Sequence, residues 1–226
     1  MTNVTFCVPV KFDSTERREN LKIVKKYLKG FGGKIDIYET TETPFHRTKY
    51  INILLKRAST DIVCICDADV IVSRDQILEA VKKCGEGYTL AYPHSGKFLN
   101  IPQTLKYRPI KEWKNLEGTL ENLSANSDSR GGMIFANRVL YKQCGLENEK
   151  FISWGSEDHE RYSRVLKLEH KIYTVKGTLY HLNHPRGNDS WFTNPLFGSN
   201  ELERHKIENM TKEELETYIK TWRWLE

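Results

Sequence analysis

Three short clusters in this chain of 226 residues combine residue types that could do chemistry together. The first is Asp67-Ala68-Asp69, placed directly after the apolar run 62–66. Two carboxylates with one small residue between them can present oxygen ligands to a hard divalent cation. A cation held there would bridge phosphates and neutralise a departing diphosphate. On its own the triplet is a weak signal, because an Asp after a strand also serves as a turn residue. The second cluster is Trp154-Gly155-Ser156-Glu157-Asp158. A carboxylate here could take the proton of an attacking hydroxyl. The competing reading is that the acidic pair only favours the first turn of a helix. The Trp and Gly ahead of it tip the balance, since one offers a face for a sugar and the other lets the backbone come close. The third is Tyr180-His181-Leu182-Asn183-His184-Pro185-Arg186. A neutral imidazole from it would complete a mixed oxygen and nitrogen shell that favours Mn²⁺ over Mg²⁺. His181 is preferred to His184, because the apolar alternation before it places it at a strand end.

These clusters need a scaffold that brings them together, and the hydrophobic pattern describes one. Residues 4–10 and 62–66 are short apolar runs of the kind that form buried strands, and 34–38 alternates as a second strand. Residues 17–29 carry Leu21, Val24 and Leu28 at helical spacing, and 48–58 carry Ile51, Leu54, Leu55 and Ala58. Ser73 with Gln76 reads as a capping box opening a third helix. Further strands are expected at 88–92, 131–136, 171–175 and 179–182. Further helices are expected at 113–123, 138–144, 157–168 and 211–224, the last capped by Thr211 with Glu214. Alternating strands and helices predict an α/β fold with a mainly parallel sheet, whose ligands sit beyond the carboxyl ends of the strands. Asp67 and Asp69 fall at such an end. The tract 95–130 is polar, carries Pro102 and Pro109, and reads as an irregular binding loop or lid.

Composition narrows the function classes. Hydrophobic residues make up 38% and the net charge is +5, so a folded core is expected and the basic excess is too small for a nucleic-acid binder. It suits an anionic small ligand such as a nucleotide diphosphate. The five cysteines are scattered and odd in number, which argues against a disulfide framework, and Cys64-x-Cys66 has no second pair for zinc. No leader or membrane span is read from the chain, so a cytoplasmic protein is expected, with peripheral contact to the inner face of a membrane left open, and the four glycosylation sequons are expected to be idle. Trp222 and Trp224 beside Lys220 and Arg223 fit either a membrane surface or packing onto the domain.

Taken together, four blocks resemble the beta-1,4-galactosyltransferases and, still more, the bacterial family 2 capsular-polysaccharide transferases of the chondroitin polymerase type. Phe45-His46-Arg47-Thr48-Lys49-Tyr50-Ile51-Asn52 is similar to their Phe-Asn-Arg-Ala-Lys-x-x-Asn segment. Cys66-Asp67-Ala68-Asp69 resembles their metal motif, Gly131-Gly132 followed by 148–158 their Gly-Gly strand and Trp-Gly-Gly-Glu-Asp motif, and Tyr180-His181 their late Tyr-His. The blocks stand in the family order over roughly residues 4 to 190. The resemblance implies a single GT-A glycosyltransferase domain over 1–226, with a nucleotide-sugar half (1–95), an acceptor half (96–190) and a helical tail (191–226). It implies an inverting transfer from a UDP-sugar to a saccharide acceptor, lipid-linked or part of a growing surface glycan, with Mn²⁺ or Mg²⁺ as cofactor. By position, Asp67, Asp69 and His181 would hold the metal, Asp67 also touching the donor. Asp158 would be the base and Glu157 would bind the acceptor. Trp154 would line the sugar pocket, while Pro9, Arg17, Glu39 and Arg47 would hold the nucleotide. Two departures stand out: Ser153 replaces a frequent Gly, and Ser156 replaces the second Gly of the Trp-Gly-Gly stretch. A sugar nucleotidyltransferase is the competing enzyme, but 8–13 is not its Gly-rich phosphate loop. A non-catalytic sugar-nucleotide-binding protein is the third reading.

Overall fold

The computed structural model describes residues 3–123, 129–187 and 194–225. Nine strands and eight helices alternate along these residues, followed by a short 3-10 turn. The first strand, β1 (Val4–Lys11), is apolar on both faces and pairs in parallel with β2 (Lys34–Thr40) and β3 (Ile62–Cys66). The full sheet runs β2-β1-β3-β7-β5-β8, where β5 is Leu90–Tyr92, β7 is Met133–Asn137 and β8 is Ile172–Thr174. Only β7 runs against the rest, so the expected mainly parallel sheet is present with one reversed strand. A second sheet, β4-β9-β6, is built from Val70–Ile71, Thr178–Leu182 and Lys97–Ile101.

Two apolar layers cover the main sheet. The period of two along β1 sends Phe6 and Val8 to one layer and Cys7 to the other. The first layer takes Leu21, Val24 and Leu28 from α1 (Thr15–Lys29) and Ile77, Ala80 and Cys84 from α3 (Arg74–Gly85). Ser14 caps α1, and Ser73 with Gln76 forms the expected capping box on α3. The second layer takes Ile51, Leu54 and Leu55 from α2 (Arg47–Arg57) and Val165 from α6 (Glu157–Lys167). All five cysteines are buried free thiols.

The tract after residue 95 is more ordered than its polarity suggested. Its first part is β6, which extends the second sheet beside β9. The helix expected at 113–123 is instead α4 (Ile110–Asn115), with Pro109 at its N-cap. Proline suits the start of a helix. The chain turns away after Asn115 because Glu117 is drawn onto Tyr180, Thr178 and Lys97. The helix α5 (Arg138–Gln143) is followed by Cys144 and by Gly145 at φ 90°, against which Trp222 packs. At the C-terminus α7 (Phe197–Asn209) leads to α8 (Lys212–Ile219), which ends earlier than expected. Trp222 is buried, stacked on Trp224 at 4.9 Å with the Arg164 guanidinium 5.2 Å from its ring centre. It is a core residue, and the membrane-facing reading of that ring falls. Among the described residues, no helix is long and apolar enough to cross a membrane.

Candidate active site

The carboxyl end of β3 delivers Asp67, whose N–H donates to the Gly132 carbonyl at 2.8 Å. Two residues later the Asp69 carbonyl accepts from Leu182 N–H at 2.7 Å, and β4 continues antiparallel to β9 with Val70 opposite His181. This backbone ladder sets β9 beside the acidic triplet. Asp69, His181 and His184 thereby form a group whose potential ligand atoms all lie within 4.8 Å of one another. His184 Nε2 stands 3.0 Å from Asp69 Oδ2, and His181 Nε2 stands 3.9 Å from Asp69 Oδ1. The sequence preferred His181 to His184; the structure brings both onto Asp69, with His184 in the closer contact. The turn that brings His184 back onto the strand end is tertiary and left no periodic signal.

Electrostatics fit this group to a metal ion. Burial alone would raise the Asp69 carboxyl, but the His184 hydrogen bond and the positive charge of His184 and Arg17 hold it well below the usual range. Burial pushes His181 down to about 4, so it is a neutral imidazole, the form that binds metal. Its Nδ1 is buried with no hydrogen-bond partner. Burial also pulls on His184, but the Asp69 contact more than reverses it. His184 Nδ1 lies 2.7 Å from the Pro185 carbonyl and 3.3 Å from Arg17 Nη2, while Nε2 is the nitrogen that faces Asp69. One carboxylate and two imidazoles suit a transition ion better than Mg²⁺ and leave coordination positions for phosphate oxygens. Arg17, on the first turn of α1, reaches the same cluster: Nη1 is 3.4 Å from Asp69 Oδ2 and Nε donates to Asp13 at 2.9 Å.

Asp67 is not part of that group. Its Oδ1 accepts two hydrogen bonds from Arg47, from Nη2 at 2.7 Å and from Nε at 3.0 Å. Arg47 also points Nη1 between Glu157 Oε1, at 3.9 Å, and Asp158 Oδ1, at 3.7 Å. That nitrogen is buried without a hydrogen-bond partner. Arg47 therefore links the metal-motif strand to the acidic pair. Burial first, then Asp69 and Asp158, push the Asp67 carboxyl up, against the pull of Arg47.

The acidic pair opens α6, and the segment before it is stapled to α2. Ser153 N–H donates to the Phe45 carbonyl at 3.0 Å, Thr48 Oγ1 to the Phe151 carbonyl at 2.8 Å, and His46 Nε2 lies 2.7 Å from the Glu149 carbonyl. Asn52 clamps Glu147, accepting its N–H at 3.0 Å and donating to its carbonyl at 2.9 Å. The polar residues of 45–52 thus earn their spacing by holding the 147–153 segment, and Arg47 is the one that reaches the carboxyls of Asp67, Glu157 and Asp158. Ser153 and Ser156 sit at φ 64° and 65°, the left-handed region that favours glycine and costs other residues ~1–2 kcal/mol. Both fall where the resemblance placed glycine, and the Ser156 hydroxyl is held by Glu201.

Asp158 Oδ1 accepts from Arg161 Nη1 at 2.7 Å. Arg161 in turn makes a two-pronged pair with Glu147, at 2.8 and 2.7 Å, and Glu147 accepts from Tyr141 at 2.7 Å. Arg161 and Glu147 are fully buried, and neither was singled out in the sequence. The i,i+3 spacing of Asp158 and Arg161 on a helix is the signal that could have found them. Burial raises Asp158, but Arg161 and Arg47 outweigh it, so the carboxylate is held ionised. Glu157 is different. Burial and then the Asp158 charge push it up to about 7, against Arg47, while the Gly155 N–H donates to its Oε2 at 3.0 Å. Two adjacent carboxyls with acidities driven apart give a base and an acid or hydrogen-bond donor side by side.

The remaining sequence candidates are placed as follows. Pro9 is buried in β1 opposite Tyr38. Glu39 is exposed on the edge strand β2, opposite Val10. Trp154 is half-buried and stacks on Phe197, with ring centres 5.8 Å apart and 19° between planes. The cavity lined by Asn3, Asp61, Ile62, Gly85, Asn137, Val139 and Leu140 lies at the opposite ends of β3 and β7 and takes no part in this cluster.

Comparison with known proteins reaches the same stretch. A family model for the N-terminal domain of galactosyltransferase matches residues 124–186. No curated protein matches the chain in sequence. The fold is similar to the catalytic domain of Drosophila beta-1,4-galactosyltransferase 7 bound to xylobiose, with 18% identity, a TM-score of 0.57, and 93% of this chain and 82% of that one covered. A variant of that Drosophila enzyme in complex with manganese, UDP-Gal and xylobiose gives 18% identity, a TM-score of 0.61, and coverage of 94% and 84%. GalNAc-T7 with UDP, GalNAc and Mn²⁺ gives 12% identity and a TM-score of 0.58, covering 91% of this chain and 48% of that one. The chain has the GT-A glycosyltransferase fold.

Proposed function

We propose that this chain is a metal-dependent glycosyltransferase that moves a sugar from a UDP-sugar to an acceptor hydroxyl with inversion at the anomeric carbon. One observation carries the reading. Arg47 ties Asp67, two residues from the Asp69–His181–His184 group, to the Asp158–Glu157 pair, so a candidate metal cluster and a candidate base are joined through one arginine. The GT-A fold supports it, as do the ligands of its structural neighbours: UDP-Gal, manganese and xylobiose in one, UDP, GalNAc and Mn²⁺ in the other.

Each residue then has a task. Asp69, His181 and His184 would hold the metal ion. When bound, the ion supplies positive charge to the diphosphate of the donor. Arg17 places a second cation beside the same group. Asp158 presents Oδ2 to the acceptor, because Oδ1 is engaged by Arg161. The proton of the acceptor hydroxyl passes to that oxygen as its own oxygen attacks the anomeric carbon. Glu157, whose carboxyl is pushed up to about 7 by burial and by Asp158, can in its protonated form donate a hydrogen bond to a substrate oxygen. Trp154 and Phe197 offer an aromatic wall for a sugar face. A growing surface polysaccharide or glycolipid is the proposed acceptor class, worked on at the inner face of a membrane. The four-block resemblance supports that acceptor.

The test is a panel of UDP-sugars with and without Mn²⁺, read first as a thermal shift and then as transfer to saccharide acceptors. A donor that stabilises the protein only with the metal, and is then turned over, is the expected result. Stabilisation by nucleoside triphosphates with pyrophosphate release would replace this reading by a nucleotidyltransferase.

A further inference from the structure

We infer that His94 is a positioning residue for Asp158, acting through the backbone of Gly131. The inference rests on the reading of Asp158 as the base. His94 is fully buried just past the end of β5, and its ring is held at both nitrogens. Nδ1 accepts the Gly96 N–H at 3.2 Å. That contact leaves the proton on Nε2, which donates to the Gly131 carbonyl at 3.0 Å. Edge-on rings close the pocket around it: Phe98 with centres 5.3 Å away and Tyr92 at 6.4 Å. Neither the tautomer nor the ring orientation is free to change.

Gly131 is the wall against which the base stands. A Cβ on Gly131 would lie 2.4 Å from Asp158 Oδ2, far inside contact distance. Oδ1 of the same carboxylate is committed to Arg161 at 2.7 Å and faces Arg47 at 3.7 Å. Oδ2 is therefore the oxygen left for the acceptor proton, and the Gly131 backbone decides where it stands. The Gly131 carbonyl accepts from His94 and, within its own turn, from the Met133 N–H at 3.0 Å, and the Gly132 carbonyl accepts from the Asp67 N–H. The two glycines are thus pinned from both sides, one to β3 and one to the residue after β5. Without the His94 bond the Gly131 carbonyl would keep only the local Met133 N–H, at 3.0 Å across a tight turn, and the peptide would lose its anchor to the chain after β5. A misplacement of about 1 Å at such a point costs on the order of 100-fold in rate.

The test compares His94→Gln, which keeps an N–H donor of similar reach, with His94→Leu, which has none. Transfer from the UDP-sugar to a saccharide acceptor is measured as kcat and as KM for the donor, with Asp158→Asn run beside them. For His94→Leu we expect kcat to fall roughly 10–100-fold with donor KM within about twofold, and for His94→Gln to restore most of it. Unchanged kcat in His94→Leu overturns the inference. So does an equal fall in both variants accompanied by a higher donor KM and a lower Tm, the mark of a purely structural role. Should His94→Leu not fold, His94→Asn, whose shorter side chain holds its N–H donor farther from the Gly131 carbonyl, reads the same contact against His94→Gln: a lower kcat than His94→Gln at unchanged donor KM supports the inference, and activity equal to the parent overturns it. If Asp158→Asn retains activity, it is the base assignment that fails, a result separate from any His94 effect.

Discussion

The two charged clusters that flank Asp67 are built in opposite ways. Asp69, His181 and His184 are aligned by a backbone ladder between β4 and β9, and their side chains touch little besides one another and Arg17. Asp158 and Glu157 stand at the start of α6 and are held by a lattice of side-chain charges: Arg47, Arg161 and Glu147. Strand register positions the first cluster; buried ion pairs position the second. A site placed by backbone should tolerate loss of its side chains and lose only its ligand. One placed by buried charges should lose stability when a supporting charge is removed.

The largest effect expected is on turnover. Asp158→Asn should lower kcat by about 10²–10⁴-fold, the usual contribution of a general base, while donor and Mn²⁺ still raise Tm as in the parent. Asp69→Asn should abolish that metal-dependent rise instead. Should Asp158→Asn also erase the Mn²⁺-dependent shift, the two clusters are one coupled unit and the contrast between them is broken.

The next effect is on stability. Glu147→Gln leaves Arg161 fully buried with Asp158 as its remaining charge partner. Breaking a buried pair costs about 3–5 kcal/mol, and the shared Asp158 should keep the cost near the lower figure. Urea unfolding would measure it. By contrast His181→Ala and His184→Ala should each alter stability without metal far less, yet weaken Mn²⁺ binding by at least about 10–100-fold. A His184 variant that binds Mn²⁺ like the parent would return the ligand role to His181 alone.

The same contrast explains what could be read from the chain. Strands 4–10 and 62–66 were legible because a buried strand writes a continuous apolar run, and Asp67 and Asp69 were legible because they follow one. Arg47 and Asp158 stood out through the order of four motifs. Three things left no such trace. The return of His184 onto Asp69 depends on a turn after β9, outside any periodic segment. Arg161 and Glu147 look like solvated charges in a polar helix and loop, and only tertiary packing buries them together. His94 is a lone histidine whose partners are backbone groups, and backbone contacts carry no residue code. The helix expected at 113–123 failed for a related reason. Leu120 packs on the core from a bend, and Glu117 is taken by Tyr180 across the second sheet.

The smallest effect lies in pH. The Glu157 carboxyl stands at about 7 against an ordinary value of 4.5. Below 4.5 the folded and unfolded chains both hold this proton, and the residue contributes nothing to the pH dependence. Between 4.5 and 7 the unfolded chain releases it while the folded chain keeps it, so stability falls as pH rises; above 7 the loss is constant. Glu157→Gln has no proton to keep and can still accept the Gly155 N–H. The variant should therefore match the parent near pH 4.5 and exceed it by at most about 3 kcal/mol at pH 8, measured by urea unfolding at both values. The origin of that window is the lattice itself: burial and the Asp158 charge raise Glu157, while Arg47 and Arg161, shared with Asp158, relieve it only in part. A difference between variant and parent that stays the same at both pH values would mean that Glu157 is ionised in the folded protein. Arg47 would then be neutralising both members of the pair, and Glu157 would be an acceptor of hydrogen bonds from the substrate rather than a donor.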